Sequence, residues 1–168
     1  MNNEIQKLIT KLELVPHPEG GYFKEIYRSD DYIKKDFLPA RYSQKRVFST
    51  SIYYLLSENQ VSHFHRLRSD ETWHFYSGSP LIIHCINKNS AYEQIKIGSL
   101  FSENIFPQYT IKHGTWFAAE VSEKNSYSLI GCTVAPGFEY DDFELAKRNN
   151  LVVLFPQHKE IISRLTKE

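Results

Sequence analysis

Val61-Ser62-His63-Phe64-His65-Arg66-Leu67, followed after Arg68-Ser69 by Asp70-Glu71-Thr72-Trp73-His74-Phe75-Tyr76, is the stretch whose reading decides the fold. Both runs are rich in aromatic and β-branched residues, which pack well on a pleated surface. The short polar break between them reads as the tight turn of a hairpin. Alternate side chains of a strand share a face, so His63 and His65 are expected to point the same way as Val61 and Leu67. Glu71 shares its face with Trp73 and Phe75, while His74 takes the opposite face with Thr72 and Tyr76. A hairpin would bring Glu71 across from the two imidazoles. Two histidines and one carboxylate on a concave face suit a divalent metal such as Zn, Mn, Ni or Fe. Without a metal the same three residues, His63, His65 and Glu71, suit acid and base catalysis.

Outward from this stretch the same texture continues. Further short runs lie at 48–56, 81–87, 92–97, 109–111, 115–121 and 127–134, after an earlier strand at 22–28. Many short strands at close spacing predict an antiparallel sandwich or barrel. Turn signals separate them at Glu58-Asn59, Gly78-Ser79-Pro80, Asn87 to Ser90, Lys112-His113-Gly114 and Glu123 to Asn125, and Pro136-Gly137 ends the last long strand. Tyr and Phe number 11 each, against one Met, which again favours sheet over helix. Ile5, Leu8, Ile9 and Leu12 stand at helical spacing behind a cap at Asn2 or Asn3, so a helix opens the chain. A second helix is expected from about Gln157, with Ile161, Ile162 and Leu165 on one face. Residues 29–46 read as an exposed excursion and Glu139 to Glu144 as an acidic segment. No linker or repeat interrupts the pattern, so residues 1–168 are expected to form one domain.

Charge and cysteine content narrow the function. Lys plus Arg equals Asp plus Glu at 20 each, and no basic run offers the phosphate-neutralising stripe that nucleic acid requires. No apolar run is long enough to cross a bilayer and the first residues lack a secretory pattern, so neither nucleic acid nor membrane is an expected partner and a cytoplasmic location is. The two cysteines, Cys85 and Cys132, sit in apolar segments at no metal-knuckle spacing and read as reduced core residues.

Several other residues are candidates for a ligand pocket. In Pro16-His17-Pro18-Glu19-Gly20-Gly21-Tyr22-Phe23, Glu19 and Tyr22 flank a glycine pair that lets backbone approach a ligand closely. Arg28, at the end of the following strand, has the fork geometry to clamp a carboxylate or phosphate. Ser49 and Ser51 share the face of Tyr53, so a polar stripe is expected there. Tyr140-Asp141-Asp142 is placed to cover a barrel mouth. Trp73, Phe75 and Trp116 read as core packing.

The spacing His63-x-His65, Glu71, Gly78 resembles the first motif of the cupins, in which two histidines, a glutamate and a glycine mark a metal-binding hairpin. The longer blocks Pro16 to Phe23, Thr50-Ser51-Ile52-Tyr53-Tyr54-Leu55-Leu56, Ser62 to Arg66, Asp70 to Tyr76 and Gly131-Cys132-Thr133-Val134-Ala135-Pro136-Gly137-Phe138 are similar to one cupin family, cupin_5. The resemblance implies a mainly β, single-domain jelly-roll barrel of the RmlC-like kind, resembling deoxysugar-nucleotide epimerases in fold, with an N-terminal and a short C-terminal helix. One departure stands out. The second cupin motif ends in a histidine ligand, and the matching position in Lys112-His113-Gly114-Thr115-Trp116-Phe117 is Phe117.

Two kinds of function fit these residues. One is an enzyme on a small polar metabolite, either an isomerase or epimerase using histidine as base or a metal-dependent oxygenase or hydrolase. The other is a protein that binds such a molecule without turning it over. A fold alone does not choose between them. Exposed edge strands of such barrels are usefully covered by a second copy, so a homodimer is expected.

Overall fold

The computed structural model of the protein describes residues 3–57, 59–100 and 104–167; Asn2, read as a possible cap, and Glu58, read as part of a turn, lie outside them. The chain opens with helix α1 (Asn3–Leu12), whose apolar stripe is the one its spacing predicts. The strands then follow as β1 (Val15–Pro16), β2 (Tyr22–Arg28), β3 (Tyr32–Ile33), β4 (Arg46–Val47), β5 (Thr50–Ser57), β6 (Val61–Leu67) and β7 (Asp70–Gly78). After them come β8 (Leu81–Ile86), β9 (Tyr92–Ile97), β10 (Gln108–Ile111), β11 (Trp116–Val121), β12 (Tyr127–Ala135) and β13 (Phe143–Leu145). Helices α2 (Arg148–Leu154) and α3 (Lys159–Arg164) close the chain. The closing helix was expected; α2 was not, because its seven residues are too few to show a helical period.

Two antiparallel sheets face each other. One has the order β1-β2-β5-β12-β7-β10 and the other β13-β6-β11-β8-β9, with β3 and β4 forming a small separate ribbon. Between them lies a core of Tyr54, Leu56, Trp73, Leu81, Ile83, Phe117 and Ile130 with their neighbours, so the expected core role of Trp73 holds. This is the mainly β antiparallel sandwich that the strand spacing predicts and the jelly roll that the cupin resemblance implies. Both cysteines are free and buried.

The two runs that opened the sequence reading are not a hairpin. β6 and β7 belong to different sheets, and β7 pairs with β12 and β10 instead. The tight connection at 68–69 turns the chain from one wall of the barrel to the other. Adjacency in sequence therefore became opposition across the interior.

Helices cover part of the outside of each sheet. α1 packs Ile5 on Leu55, Tyr127 and Leu129, while α2 and α3 press Leu151, Ile162 and Leu165 against Phe64, Ile86, Trp116 and Ala118. β5 and β12 are thus apolar on both faces, as strands buried on both sides are. No helix of the described residues is long and apolar enough to cross a membrane.

Candidate functional site: a buried acid-base cluster in the barrel

A cavity of ≈ 100 Å³ opens between the sheets, with His17, Glu19, His65, Glu71 and Cys132 in its wall and Arg28, Phe138, Glu139, Tyr140 and Phe143 among the residues lining it. Its position follows from two irregularities in strands that otherwise alternate.

The first is a bulge in β6. Phe117 of β11 pairs with His65, but Ala119 pairs with Ser62, so β6 carries one residue too many between them. The amides of His63 and Phe64, neighbours that in a regular strand point to opposite sides, both donate away from β11, to the carbonyls of Glu19 and Leu165 at 2.9 and 2.8 Å. The bulge resets the alternation. Ser62 and His65 face inward, Phe64 faces the helices, and His63 lies half-buried against the C-terminal segment near Leu165 and Lys167. His63 does not line the cavity. The expectation that His63 and His65 share a face is corrected on that ground.

The second bulge lies in β2, between Glu25 and Tyr27 against β5. Phe23 and Glu25 face the cavity, and the extra residue turns Arg28 to the same side, where it donates to Glu25 at 3.1 and 2.9 Å and to Glu139 at 2.8 Å. Tyr22, which regular alternation would put with Arg28, packs beneath α1. On β5 the inward side chains are Thr50, Ile52 and Tyr54, so Ser49, Ser51 and Tyr53 are not in the cavity wall. Ser49 instead donates to the carbonyl of Val134, and Tyr53 packs near α1 and against Tyr76. Both faces of β5 are covered, so its pattern did not tell inside from outside.

Glu19 reaches the interior on the turn that spans His17 to Gly21, closed by hydrogen bonds from His17 N to Gly21 O and from Gly20 N to His17 O. Gly20 has φ +116, and a Cβ there would stand 2.1 Å from the Val61 carbonyl oxygen. The glycine pair admits close approach, as expected, but to strand β6. Glu19 is buried, accepts a hydrogen bond from the Ser62 hydroxyl at 3.0 Å, and its Oε2 lies 3.1 Å from His65 Nε2 and 3.5 Å from His17 Nδ1. The His65 ring sits 4.0 Å from Phe117 and 5.4 Å from Phe143, centroid to centroid, and its Nδ1 is 2.8 Å from the His63 carbonyl.

These contacts locate the protons. A carbonyl only accepts, so His65 Nδ1 carries hydrogen and donates to His63. Burial lowers the His65 pKa to about 4, so the ring is neutral near pH 7 and Nε2 is bare. The Glu19 amide donates to His17 Nδ1 at 3.3 Å, and burial lowers His17 as well, so that nitrogen is also bare. Glu19 Oε2 thus faces two lone pairs. Burial raises the Glu19 pKa, and the geometry agrees: the carboxyl keeps its proton and shares it with His65 Nε2. On the opposite wall Glu71 is pushed up to about 8, with burial the leading cause. Its Oε2 has no hydrogen-bond partner among the described residues.

The site fits acid-base chemistry better than the expected metal set. Of His63, His65 and Glu71 only the last two line the cavity, His65 Nε2 is engaged by Glu19, and the position of the fourth cupin ligand is filled by Phe117, whose ring lies tilted against that of His65. No group of three or more His, Cys, Asp or Glu among the described residues is placed to hold a metal ion. The strongest partner of His65, Glu19, was legible as a candidate beside the glycine pair; His17, Thr50, Ile52 and Phe143 were not singled out.

A two-sheet jelly roll with a polar cluster enclosed between its sheets is the architecture of the cupins. Residues 6–146 match the family model described as Cupin_5, Cupin superfamily (DUF985), and the chain belongs to that family. It is 26% identical over 155 residues to the uncharacterized protein YML079W of Saccharomyces cerevisiae, covering 86% of this chain and 76% of that one. Among solved structures it is similar to a hypothetical protein from Leishmania major, with TM-score 0.89 and 35% identity over 97% of this chain and 98% of that one. It is also similar to protein SO0799 from Shewanella oneidensis, with TM-score 0.86 and 36% identity over 96% of both chains. Oxalate decarboxylase from Bacillus subtilis matches at TM-score 0.55 and 15% identity over 91% of this chain and 37% of that one, a likeness of fold alone.

Proposed function

We propose that the chain is an enzyme that moves a proton on a small polar metabolite held in the barrel, in the manner of an isomerase or epimerase. The observation that carries this reading is the placing of two buried carboxyls on opposite walls of one cavity. Glu19, coupled to His65, comes from the side of β6, and Glu71 from β7. Isomerisation next to a carbonyl needs a base to take a proton and an acid to return one; burial raises both carboxyls, which favours their protonated forms, and keeps His65 neutral with a lone pair at Nε2. In the resting site Glu19 holds the proton at Oε2 and His65 Nε2 is the acceptor beside it; a proton taken from a substrate passes to this pair, and Glu71 supplies or receives the other. The aromatic collar of Phe23, Phe138, Tyr140 and Phe143 keeps water from the reacting carbon. The unpartnered Glu71 oxygen is a ready contact for a substrate hydroxyl or carbonyl.

The test is a screen of small hydroxy acids, keto acids and sugars in heavy water, read by proton NMR for loss of a carbon-bound hydrogen. Exchange with the wild type, reduced about a hundredfold or more in His65→Asn and in Glu19→Gln, is the expected result for an acid-base pair. A compound that binds in the cavity yet exchanges no hydrogen would replace this reading by the non-catalytic one. The reading includes a homodimer as the working form.

A further inference from the structure

Outside the wall formed by Leu67 and Phe143, which also line the barrel cavity, runs a second depression of ≈ 470 Å³ whose sides carry Arg41, Arg66, Arg68, Lys88 and His113. Its positive charges divide into two groups. Arg66 is held by Glu144 at 2.7 Å, and Lys112 nearby by Asp70 at 2.8 Å, so these are neutralised. Arg41, Arg68 and Lys88 are not. Arg41 Nε donates to the carbonyl of Arg68 at 2.7 Å and Arg68 Nη1 returns a bond to the carbonyl of Arg41 at 3.0 Å, so each arginine is anchored on the other's backbone. Arg41 is further braced against the ring of Tyr42 at 4.9 Å. The carboxylate nearest Arg68, that of Asp142 at 3.9 Å, is already taken by Arg46 through two bonds of 2.5 and 2.7 Å. No carboxylate of the described residues lies within 4 Å of Arg41 or Lys88, and Asp141 is the one acidic side chain of the groove without a basic partner among them.

The turn at 112–114 adds two built features. Gly114 has φ +76, and a Cβ there would stand 2.8 Å from Lys88 Cε, so the glycine lets the lysine lie across the turn into the groove. Asp70, although burial would raise it, is held at about 2 by bonds from Lys112 and His113 and is ionised. It therefore only accepts, and His113 Nδ1 donates to it at 3.0 Å, which fixes the imidazole in the groove wall. Cationic side chains anchored on the walls of one depression, with no carboxylate of the described residues within 4 Å of Arg41 or Lys88, suit the oxygens of a phosphate.

We infer that this groove is a phosphate-binding site and that the ligand of the barrel cavity is accordingly a phosphorylated small molecule, its phosphate seated among Arg41, Arg68 and Lys88 and its other end passing Phe143 into the cavity. The second half rests on the cavity reading above; the first stands without it.

Titration calorimetry of the full chain with inorganic phosphate and with pyrophosphate tests the groove. Saturable binding is expected, weakened about tenfold or more by Lys88→Gln, a change that removes none of the backbone bonds that hold the arginine pair, and left as it is by His65→Asn. Absence of saturable binding of either probe up to about 10 mM, or binding that Lys88→Gln does not alter, overturns the inference. The heavy-water screen separates the two readings. Exchange confined to phosphorylated compounds, and slowed by Lys88→Gln, supports both; exchange of their unphosphorylated counterparts at equal rate removes the substrate class and leaves the cavity reading intact.

Discussion

A carboxyl group that meets a serine hydroxyl on one oxygen and two bare imidazole nitrogens on the other has to keep its proton, and Glu19 is in that position. The consequence at the scale of single residues is a pH dependence whose sign can be worked out. Glu71 rises from 4.5 to about 8 on folding, so the folded chain binds more protons than the unfolded one over that window. Its contribution to stability is complete below pH 4.5 and is lost as pH rises through 8. His65 falls from 6.5 to about 4, so its contribution is complete above 6.5 and is lost as pH falls toward 4. The two slopes oppose each other between 4.5 and 6.5, and above 6.5 the fall due to Glu71 is left. Chemical denaturation should therefore show the protein losing about 2 kcal/mol between pH 6.5 and 8, at about 1.4 kcal/mol per pH unit. Glu71→Gln, which keeps shape and removes the charge, should flatten that fall, with the part due to Glu19 remaining; an unchanged slope would place Glu71 among ordinary carboxylates. Glu71 and His65 were legible in the sequence as inward residues of their strands. The pairing of His65 with Glu19 was not, because it joins positions 46 residues apart through a turn whose path no local pattern reveals.

At the scale of elements, two bulges decide which side chains the cavity sees. Sequence periodicity assigns His63 with His65 and Tyr22 with Arg28, and each pair is split by one inserted residue. A bulge depends on what the strand's other edge meets, here the Glu19 and Leu165 carbonyls that take the amides of His63 and Phe64. The same account makes Gly20 the hinge of the Glu19 turn, because only a residue without Cβ tolerates both φ +116 and the Val61 carbonyl. Gly20→Ala should cost about 2 kcal/mol or more in thermal or chemical unfolding and should also abolish the heavy-water exchange, since Glu19 is displaced with the turn. A variant as stable as the wild type would show that the turn yields easily. The boundaries of the longer strands were legible within a residue or two, whereas the short β1, β3, β4 and β13 and the faces of β5 were not, the latter since α1 covers the side that would otherwise be polar.

At the scale of the whole molecule, the helices leave part of the barrel uncovered. Phe37, Phe48, Tyr27 and Tyr32 are about half exposed or more, with Phe37 at 80%, near the strand β2 and the β3-β4 ribbon. Burial of such a patch by a second copy is the expected outcome, so sedimentation equilibrium should give twice the 19.7 kDa of the chain, and a single-chain mass would leave the patch to another role. By itself the sequence determined a mainly β sandwich or barrel with an opening helix, buried cysteines and inward-facing His65 and Glu71. These follow from composition and from a two-residue period, which are properties of short segments. Only the tertiary structure decided that β6 and β7 face each other across the barrel and that the Glu19 carboxyl, not the His63 ring, joins the His65 ring at the cavity. Those outcomes depend on which distant backbone satisfies a strand's free amides and which element buries its second face, and neither is written in any one stretch of the chain.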